Sequence, residues 1–399
     1  MKNRSLFGLP SKVIFCKECV ISNQRPSSVI EFRNKNNKKK GIFINEKDGI
    51  CEACKYNKIK NNIDWKSREE KLHDILSKYR KKKGYDCLVP GSGGKDSSYT
   101  AHILKYKFNM NPLTVTWAPH LYTEIGWKNF TNWMHVGGLD NILFTPNGKL
   151  HRLLTKFAFV NLLHPFQPFI IGQRLIGPKF ASKFDIPLVI YGENQAEYGN
   201  DLKENFSPLM RPDFFSIKKD ENIILGGMSI KEIINKYNFS ISDFEPYMPL
   251  NLNIIKKKKI KVMYLGYFLK WDPQECYYYA SENTGFVSNT ERTEGSYSKY
   301  SSIDDKIDPF HYYTTFIKFG IGRATYDAAQ EIRNNKITRE EGIALVKKYD
   351  AEFPKKYFSD FLKYININEK YFFNTVDKFR SSHLWKKNSN KWMLTKKIF

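Results

Sequence analysis

From residue 85 onward, short apolar runs alternate with longer stretches of helical periodicity. Residues 86–90 (Asp-Cys-Leu-Val-Pro), 112–117 (Pro-Leu-Thr-Val-Thr-Trp), 141–145 (Asn-Ile-Leu-Phe-Thr) and 187–192 (Pro-Leu-Val-Ile-Tyr-Gly) read as strands. Residues 97–108, 124–135 and 149–184 read as the helices between them, and 260–267 reads as a further strand. Strands separated by helices of this length imply right-handed crossovers, hence an α/β fold with a doubly wound parallel sheet. In such sheets ligands sit beyond the carboxyl ends of the strands, so the loops starting at Pro90, Trp117, Thr145 and Gly192 are expected to converge on one cleft.

Outside this region the texture differs. Residues 29–32 and 41–45 suggest two short strands between cysteine pairs, and Trp65, Leu72, Ile75 and Leu76 recur at helical spacing. After Gly285 the chain reads as helical, with Thr338 and Glu341 placed as a capping box. The expected organisation is a zinc-binding ribbon or knuckle over 1–62, a connecting helix in 63–84, the α/β unit over 85–285 and a mainly helical region over 286–399.

At 399 residues the chain is long enough for two or three domains. Its formal charge of +24 raises nucleic acid as a partner. Lysine and asparagine are spread throughout, however, including the runs at 34–40 and 256–259, which is compositional bias rather than a footprint. Nucleic acid is therefore set aside in favour of a phosphorylated small molecule or a plain solvated surface. The first residues lack the apolar core of a signal peptide, and no apolar run approaches the roughly 18 residues of a membrane span. A cytoplasmic protein with no membrane partner is expected.

Four of the six cysteines form two pairs, Cys16-Lys-Glu-Cys19 and Cys51-Glu-Ala-Cys54. Two such half-sites supply four thiolates to a closed tetrahedral ion, and a zinc that leaves no open position for water is structural rather than catalytic. Cys87 reads as a small buried thiol. Cys276 stands in Gln-Glu-Cys-Tyr-Tyr-Tyr, where a sulfur-carrying role competes with burial.

The densest chemistry lies at Gly91-Ser92-Gly93-Gly94-Lys95-Asp96-Ser97-Ser98, between a strand and a helix. Glycines there let backbone N–H groups approach an anion, and the helix terminus adds partial positive charge. Lys95 supplies charge for phosphate, Asp96 can meet magnesium, and the hydroxyls of Ser92 and Ser97 flank the turn; a solvated Lys95 on a ligand-free turn is the bland alternative. The spacing is not that of the GxxxxGK[ST] loop. It resembles the PP-loop of the adenine nucleotide α-hydrolases, which cleave ATP between its α and β phosphates. A second acidic motif follows strand 187–191: Glu193-Asn-Gln-Ala-Glu197 sets two carboxylates four residues apart, on one face if a helix starts there, suited to magnesium or to simple exposure. Its wording is similar to an acidic motif of lysidine synthetases and thiolation enzymes of that fold.

Taken together, the cysteine pairs with Arg25-Pro26, the loop at 91–98, the segment at 191–199, Lys270-Trp-Asp-Pro-Gln-Glu275 and Gly322-Arg-Ala-Thr-Tyr-Asp327 resemble the N-acetyl sugar amidotransferases of bacterial surface-polysaccharide and nonulosonic-acid biosynthesis. The resemblance implies conversion of a sugar acetamido group to an acetamidino group, as in pseudaminic or legionaminic acid pathways or O antigen. Catalysis would fall to Lys95, Asp96 and Ser97. ATP would be held by Gly91, Ser92, Gly93, Gly94, Lys95, Ser97 and Ser98, with Thr116 and Trp117 at the adenine, although Trp117 also suits an apolar core. Magnesium would take Asp96 with Glu193 or Glu197. Arg174, Tyr198, Arg292 and Arg323 are candidates for the sugar. With no cysteine at position 2 and no glutaminase context around Cys87 or Cys276, ammonia would come from a separate glutaminase subunit working with a barrel-type synthase subunit. Two rival readings stay open: a tRNA thiolase or lysidine-type ligase of the same fold, and a non-enzymatic zinc-ribbon adaptor.

Overall fold

The computed structural model of the chain describes residues 5–34, 41–218, 222–389 and 391–398. Residues 35–40, most of the basic run between the cysteine pairs, lie outside them. In chain order, α1 (Glu52–Lys60) has Cys51 as its N-cap and carries Cys54, and α2 (Trp65–Ser77) is capped by Asp64, which accepts from the Ser67 amide at 3.0 Å. The α/β unit runs β1 (Cys87–Pro90), α3 (Lys95–Tyr106), β2 (Pro112–Trp117), α4 (Glu124–His135), β3 (Asp140–Phe144), α5 (Gly148–Leu162), α6 (Gln167–Phe184), β4 (Leu188–Tyr191) and, after a stretch of short elements, β5 (Lys261–Tyr264). Beyond it come α7 (Pro273–Thr284), α8 (Asp308–Phe319), α9 (Arg323–Arg333), α10 (Arg339–Tyr349), α11 (Phe358–Ile365) and α12 (Glu369–Lys378).

All five main strands are parallel, in the order β3-β2-β1-β4-β5. The chain winds outward from β1 to β3, then returns to the other side of β1, so the order reverses between β1 and β4. That switch point opens a crevice at the carboxyl ends of the two strands, where open α/β sheets bind ligands. The doubly wound sheet is the one expected from the alternating runs. Strands β1, β2 and β4 are buried on both faces, which explains why they read as continuous apolar runs rather than as alternation, whereas the edge strand β3 is partly exposed. Leu88, Val189 and Val262 join the core shared with α5 and α6, whereas Val89, Leu188, Ile190 and Met263 face the core shared with α3 and α4. Each such side chain contributes about 1.5–3 kcal/mol on burial.

Two expectations differ from the structure. Residues 29–32 and 41–45 form no strands; Glu31–Arg33 is a single 3-10 turn, and the segment is tied by isolated bridges Pro26–Gly41 and Ile44–Cys51. The cause is long-range. Phe32 is drawn into the main core, and Gln167 Nε2 donates to the Glu31 carbonyl at 2.9 Å, so this backbone pairs with α6 instead of with itself. The second difference is local: the carboxyl-terminal region is mainly helical, as expected, but not from its first residue to its last. Residues 286–307 hold no helix, and the chain closes with an antiparallel hairpin, β6 (Trp385–Asn388) and β7 (Lys391–Leu394). Trp385 anchors it, donating through Nε1 to the Ile317 carbonyl at 2.8 Å under the Arg380 guanidinium. The capping box forms as read: Glu341 accepts from the Thr338 amide at 2.7 Å, and Thr338 Oγ1 accepts from the Glu341 amide at 3.2 Å.

The cysteine-bearing segment does not stand apart. Cys16, Cys19, Cys51 and Cys54 share one apolar cluster with Phe319, Ile321, Ala328 and Val346 of the carboxyl-terminal helices and their connections. Among the described residues no helix is long and apolar enough to cross a membrane.

Candidate active site

The loop after β1 is shaped by what surrounds it. Gly93 has φ +79°, and a Cβ there would lie 2.8 Å from the Phe130 Cα of α4, so this position combines a left-handed backbone with a close approach. Helix α3 begins at Lys95 with Gly94 as N-cap, and no side chain caps it. Its first-turn N–H groups and its dipole therefore face the cavity beyond the loop, a geometry suited to an anion. Ser97 Oγ instead donates to the Gly94 carbonyl at 3.0 Å and so supports the turn, whereas Ser98 is buried with its hydroxyl making no hydrogen bond among the described residues.

Lys95 Nζ lies 2.6 and 2.8 Å from the two carboxylate oxygens of Asp96. Burial opposes the charge on Lys95, but Asp96, together with the more weakly acting Cys276 and Glu193, offsets it and holds the ammonium above its ordinary range. Glu193, at the start of the loop after β4, lines the same cavity. Burial, and after it the charge of Asp96, push its carboxyl up to about 8. Its oxygens accept from Gln330 Nε2 at 2.9 Å and from the Tyr198 hydroxyl. The loops after β1 and β4 thus meet at the switch point.

Glu197 is placed differently from the expected helical pair. Residues Gln195–Tyr198 form a 3-10 turn, and Glu197 turns inward to an ion pair with Lys60 of α1 at 2.8 Å, with side chains 7% and 1% exposed. Lys60 also donates to the Trp271 carbonyl at 2.5 Å, and Arg333 Nη2 donates to the Glu197 carbonyl at 2.9 Å. Asp96, Glu193 and Glu197 are accordingly not gathered around one point; among the described residues the four cysteines are the group whose ligand atoms converge.

Thr116 and Trp117, chosen for adenine, are placed in the core. Thr116 is fully buried and accepts from Asn141 Nδ2 at 2.9 Å. Trp117 packs against the rings of Phe144 and Tyr247 at 5.2 and 5.3 Å, and a Cβ on Gly172 would sit 2.1 Å from its indole. The loop at Thr145 leads only to Asn147, which caps α5 by accepting from the Lys149 amide at 3.0 Å.

The far wall of the site comes from residues that motif reading did not single out. The segment 300–305 crosses over the phosphate loop, and Ser92 Oγ donates to Asp304 Oδ2 at 3.0 Å. Burial, then the charge of Asp305, raise the Asp304 carboxyl. The approach is close enough that a Cβ on Gly126 would lie 2.5 Å from the Asp304 Cα. Asp305 accepts from the His120 backbone amide and from its ring Nδ1, both at 2.7 Å, which pins the loop after β2 to the same segment. The only sequence signal was two adjacent aspartates in a stretch without periodicity. Of the sugar candidates, Tyr198 and Arg323 reach this cavity. Arg174 lines the adjoining cleft beside Arg25, whose guanidinium lies 5.3 and 5.0 Å from the ring centroids of Tyr198 and Tyr326. Arg292 is instead paired with Glu352 at 2.6 Å.

The four cysteine sulfurs lie within 4.8 Å of one another, with Cys16–Cys54 at 3.9 Å and Cys19–Cys51 at 3.8 Å. The Cys51 amide points at Cys16 Sγ from 3.3 Å. Four converging thiols fit a metal centre, either a single ion or an iron–sulfur cluster. Cys87 and Cys276 are buried and are not members of this group. Cys276, on the face of α7 against α3, is 2% exposed, and burial pushes its thiol well above the usual range.

A parallel β3-β2-β1-β4-β5 sheet with Ser-Gly-Gly-Lys-Asp-Ser at its switch point defines an α/β protein of the PP-loop type. Residues 294–399 match the family described as LPS biosynthesis protein WbpG-like, C-terminal domain. An uncharacterized protein of Methanocaldococcus jannaschii, MJ1599, is 35% identical over 79 residues, which span 20% of this chain and 28% of that relative's length. Among solved structures, the U34-tRNA thiolase NcsA of Methanococcus maripaludis with its [4Fe-4S] cluster overlays at TM-score 0.32 and 12% identity, covering 84% of this chain and 88% of its own. NMN synthetase of Francisella tularensis gives TM-score 0.27 at 12% identity (71% and 96% coverage). The NH3-dependent NAD synthetase of Campylobacter jejuni gives 0.25 at 17% (32% and 56%). At these TM-scores the assignment of the fold rests on the chain's own sheet order.

Proposed function

We propose that this chain is an ATP-dependent amidotransferase that converts an N-acetyl group of a sugar into an acetamidino group during bacterial surface-glycan synthesis. The observation that carries the reading is the cavity at the switch point, where the uncapped amino end of α3, Lys95 and Asp96 face the wall built by residues 300–305 and Arg323. Such a site suits a phosphate chain on one side and an acceptor on the other.

The chemistry follows from the acceptor. An amide oxygen is a poor leaving group; its attack on the α-phosphorus forms an O-adenylyl imidate and expels pyrophosphate. Ammonia then adds to the imidate carbon and AMP departs, leaving the amidine. Lys95 and the first-turn amides of α3 would hold the departing pyrophosphate, a preorganised electrostatic contribution that commonly dominates such catalysis. Asp96 with Glu193 would position magnesium, which takes one or two carboxylates and keeps its waters; Glu197, engaged by Lys60, would shape this pair rather than bind the ion. For the cysteine centre, the 3.8–3.9 Å sulfur separations support one tetrahedral zinc, whose bonds of about 2.3 Å set sulfurs roughly 3.8 Å apart. Ammonia would be delivered by a glutaminase subunit working with a barrel-type synthase subunit.

The test is incubation of activated acetamido sugars with the protein, MgATP and ammonium, followed by mass spectrometry. Replacement of carbonyl oxygen by NH lowers the sugar mass by about one unit and should accompany AMP one for one. Lys95→Ala should lose about 100-fold or more of the AMP formed. ADP in place of AMP would overturn the reading.

A further inference from the structure

Three cavities adjoin around α3: one over the phosphate loop, one beside Glu193 and Gln330, and a larger cleft along Arg25 and Arg174. Asp96 and Arg323 line all three. Asp96 belongs to the loop itself. Arg323 comes from the first turn of α9, within the WbpG-like domain, and reaches the junction from the opposite side.

How Arg323 is held bears on what it does. Its Nε lies 3.0 Å from Asp327 Oδ1, its Nη1 donates to the Tyr312 hydroxyl, and its guanidinium carbon sits 4.5 Å from the Tyr312 ring centroid. Nη2 has no hydrogen-bond partner among the described residues. The backbone behind it is fixed as well. Asp350 accepts from the Gly322 and Thr325 amides at 2.8 and 2.9 Å, so the start of α9 cannot drift. A planar guanidinium clamped on two of its nitrogens, with the third left over at a cavity junction, is preorganised to donate to an oxygen that arrives with a ligand.

We propose that Arg323 is a catalytic residue supplied by the carboxyl-terminal region, donating from Nη2 to a non-bridging oxygen of the ATP α-phosphate during adenylyl transfer. This rests on the ATP-dependent reading above. In that step the acceptor oxygen forms a bond to the α-phosphorus while the bond from that phosphorus to the bridging oxygen toward the β-phosphate breaks. The electron pair leaves on pyrophosphate, and Arg323 stays protonated throughout. The loop and Lys95 grip the leaving half, and Arg323 grips the transferred half at the point where nucleotide and acceptor cavities meet. The carboxyl-terminal domain is thereby part of the reaction centre.

The experiment uses the full chain with Arg323→Gln and Arg323→Lys, and as probes the Mg complexes of AMP-CPP and of the two α-phosphorothioate diastereomers of ATP. Wild type should bind AMP-CPP and discriminate between the diastereomers, because one places sulfur where Nη2 donates. Arg323→Gln should bind AMP-CPP within about 10-fold of wild type yet lose most of the diastereomer preference, and Arg323→Lys should regain part of it. A melting temperature measured in parallel excludes variants that fail to fold, and the lysine variant then carries the test. An unchanged diastereomer ratio in a folded Arg323→Gln protein would overturn the proposal while leaving ATP use intact. A wild type that binds none of the three nucleotides would overturn the ATP reading itself.

Discussion

Replacing Lys60 by methionine removes one partner of an ion pair buried beside the candidate active site. The pair is 2.8 Å long, with side chains 1% and 7% exposed, and Lys60 makes a further bond to the Trp271 carbonyl. Methionine keeps most of the volume but leaves Glu197 as a buried carboxylate without its counter-charge. Breaking a pair of this kind typically costs about 3–5 kcal/mol, far more than the 0–1 kcal/mol of a surface bridge. Glu197→Gln together with Lys60→Met removes the stranded charge, so the double variant should recover roughly half or more of that loss. Urea denaturation of wild type, both single variants and the double supplies the cycle. A Lys60→Met cost below about 1 kcal/mol, or a double variant as unstable as the sum of the singles, would refute the reasoning. The effect should also reach the chemistry, because Glu197 and Tyr198 share the 3-10 turn whose hydroxyl donates to Glu193.

Three further outcomes are expected. Burial pushes Asp308 up to about 7, a folded value above the unfolded one, so its contribution to stability is lost as pH rises from about 4 through 7; Asp308→Asn should flatten the pH dependence of unfolding there by up to roughly 4 kcal/mol, and identical profiles would contradict this. The purified chain should carry one zinc by elemental analysis and none of the visible absorption of an iron–sulfur cluster, and Cys51→Ser should lower both zinc content and melting temperature, since the thiols share a core with α9 and α10. Cys276→Ala should leave AMP formation within about threefold of wild type, because a thiol held neutral by burial is a poor nucleophile; a collapse to background in a folded variant would favour sulfur transfer instead.

Much of this arrangement was legible before any coordinates. The β1 loop announced itself because glycine, lysine and serine at that spacing have few other uses, and the parallel order followed from short apolar runs separated by helices. Cysteine pairs two residues apart are likewise local signals. What stayed hidden depends on distance along the chain. Nothing near Glu197 marks Lys60 as its partner 137 residues away, so a four-residue spacing suggested a shared helical face that a 3-10 turn does not provide. The contact of Ser92 with Asp304 spans 212 residues, and an aspartate in an aperiodic stretch carries no mark of its neighbour. Trp117 shows the converse. Its place at the end of a strand suits a ligand as well as a core, and the bare Cα of Gly172 across from it decides for the core.

Oxygen tracing tests the central claim most directly. Acetamido sugars labelled with 18O in the acetyl carbonyl would be turned over with MgATP and ammonium, and the AMP analysed by mass spectrometry. If the amide oxygen attacks the α-phosphorus, AMP gains one 18O for each amidine formed and pyrophosphate gains none. Label retained in the sugar, or AMP formed without it, would contradict adenylation of the acetamido oxygen.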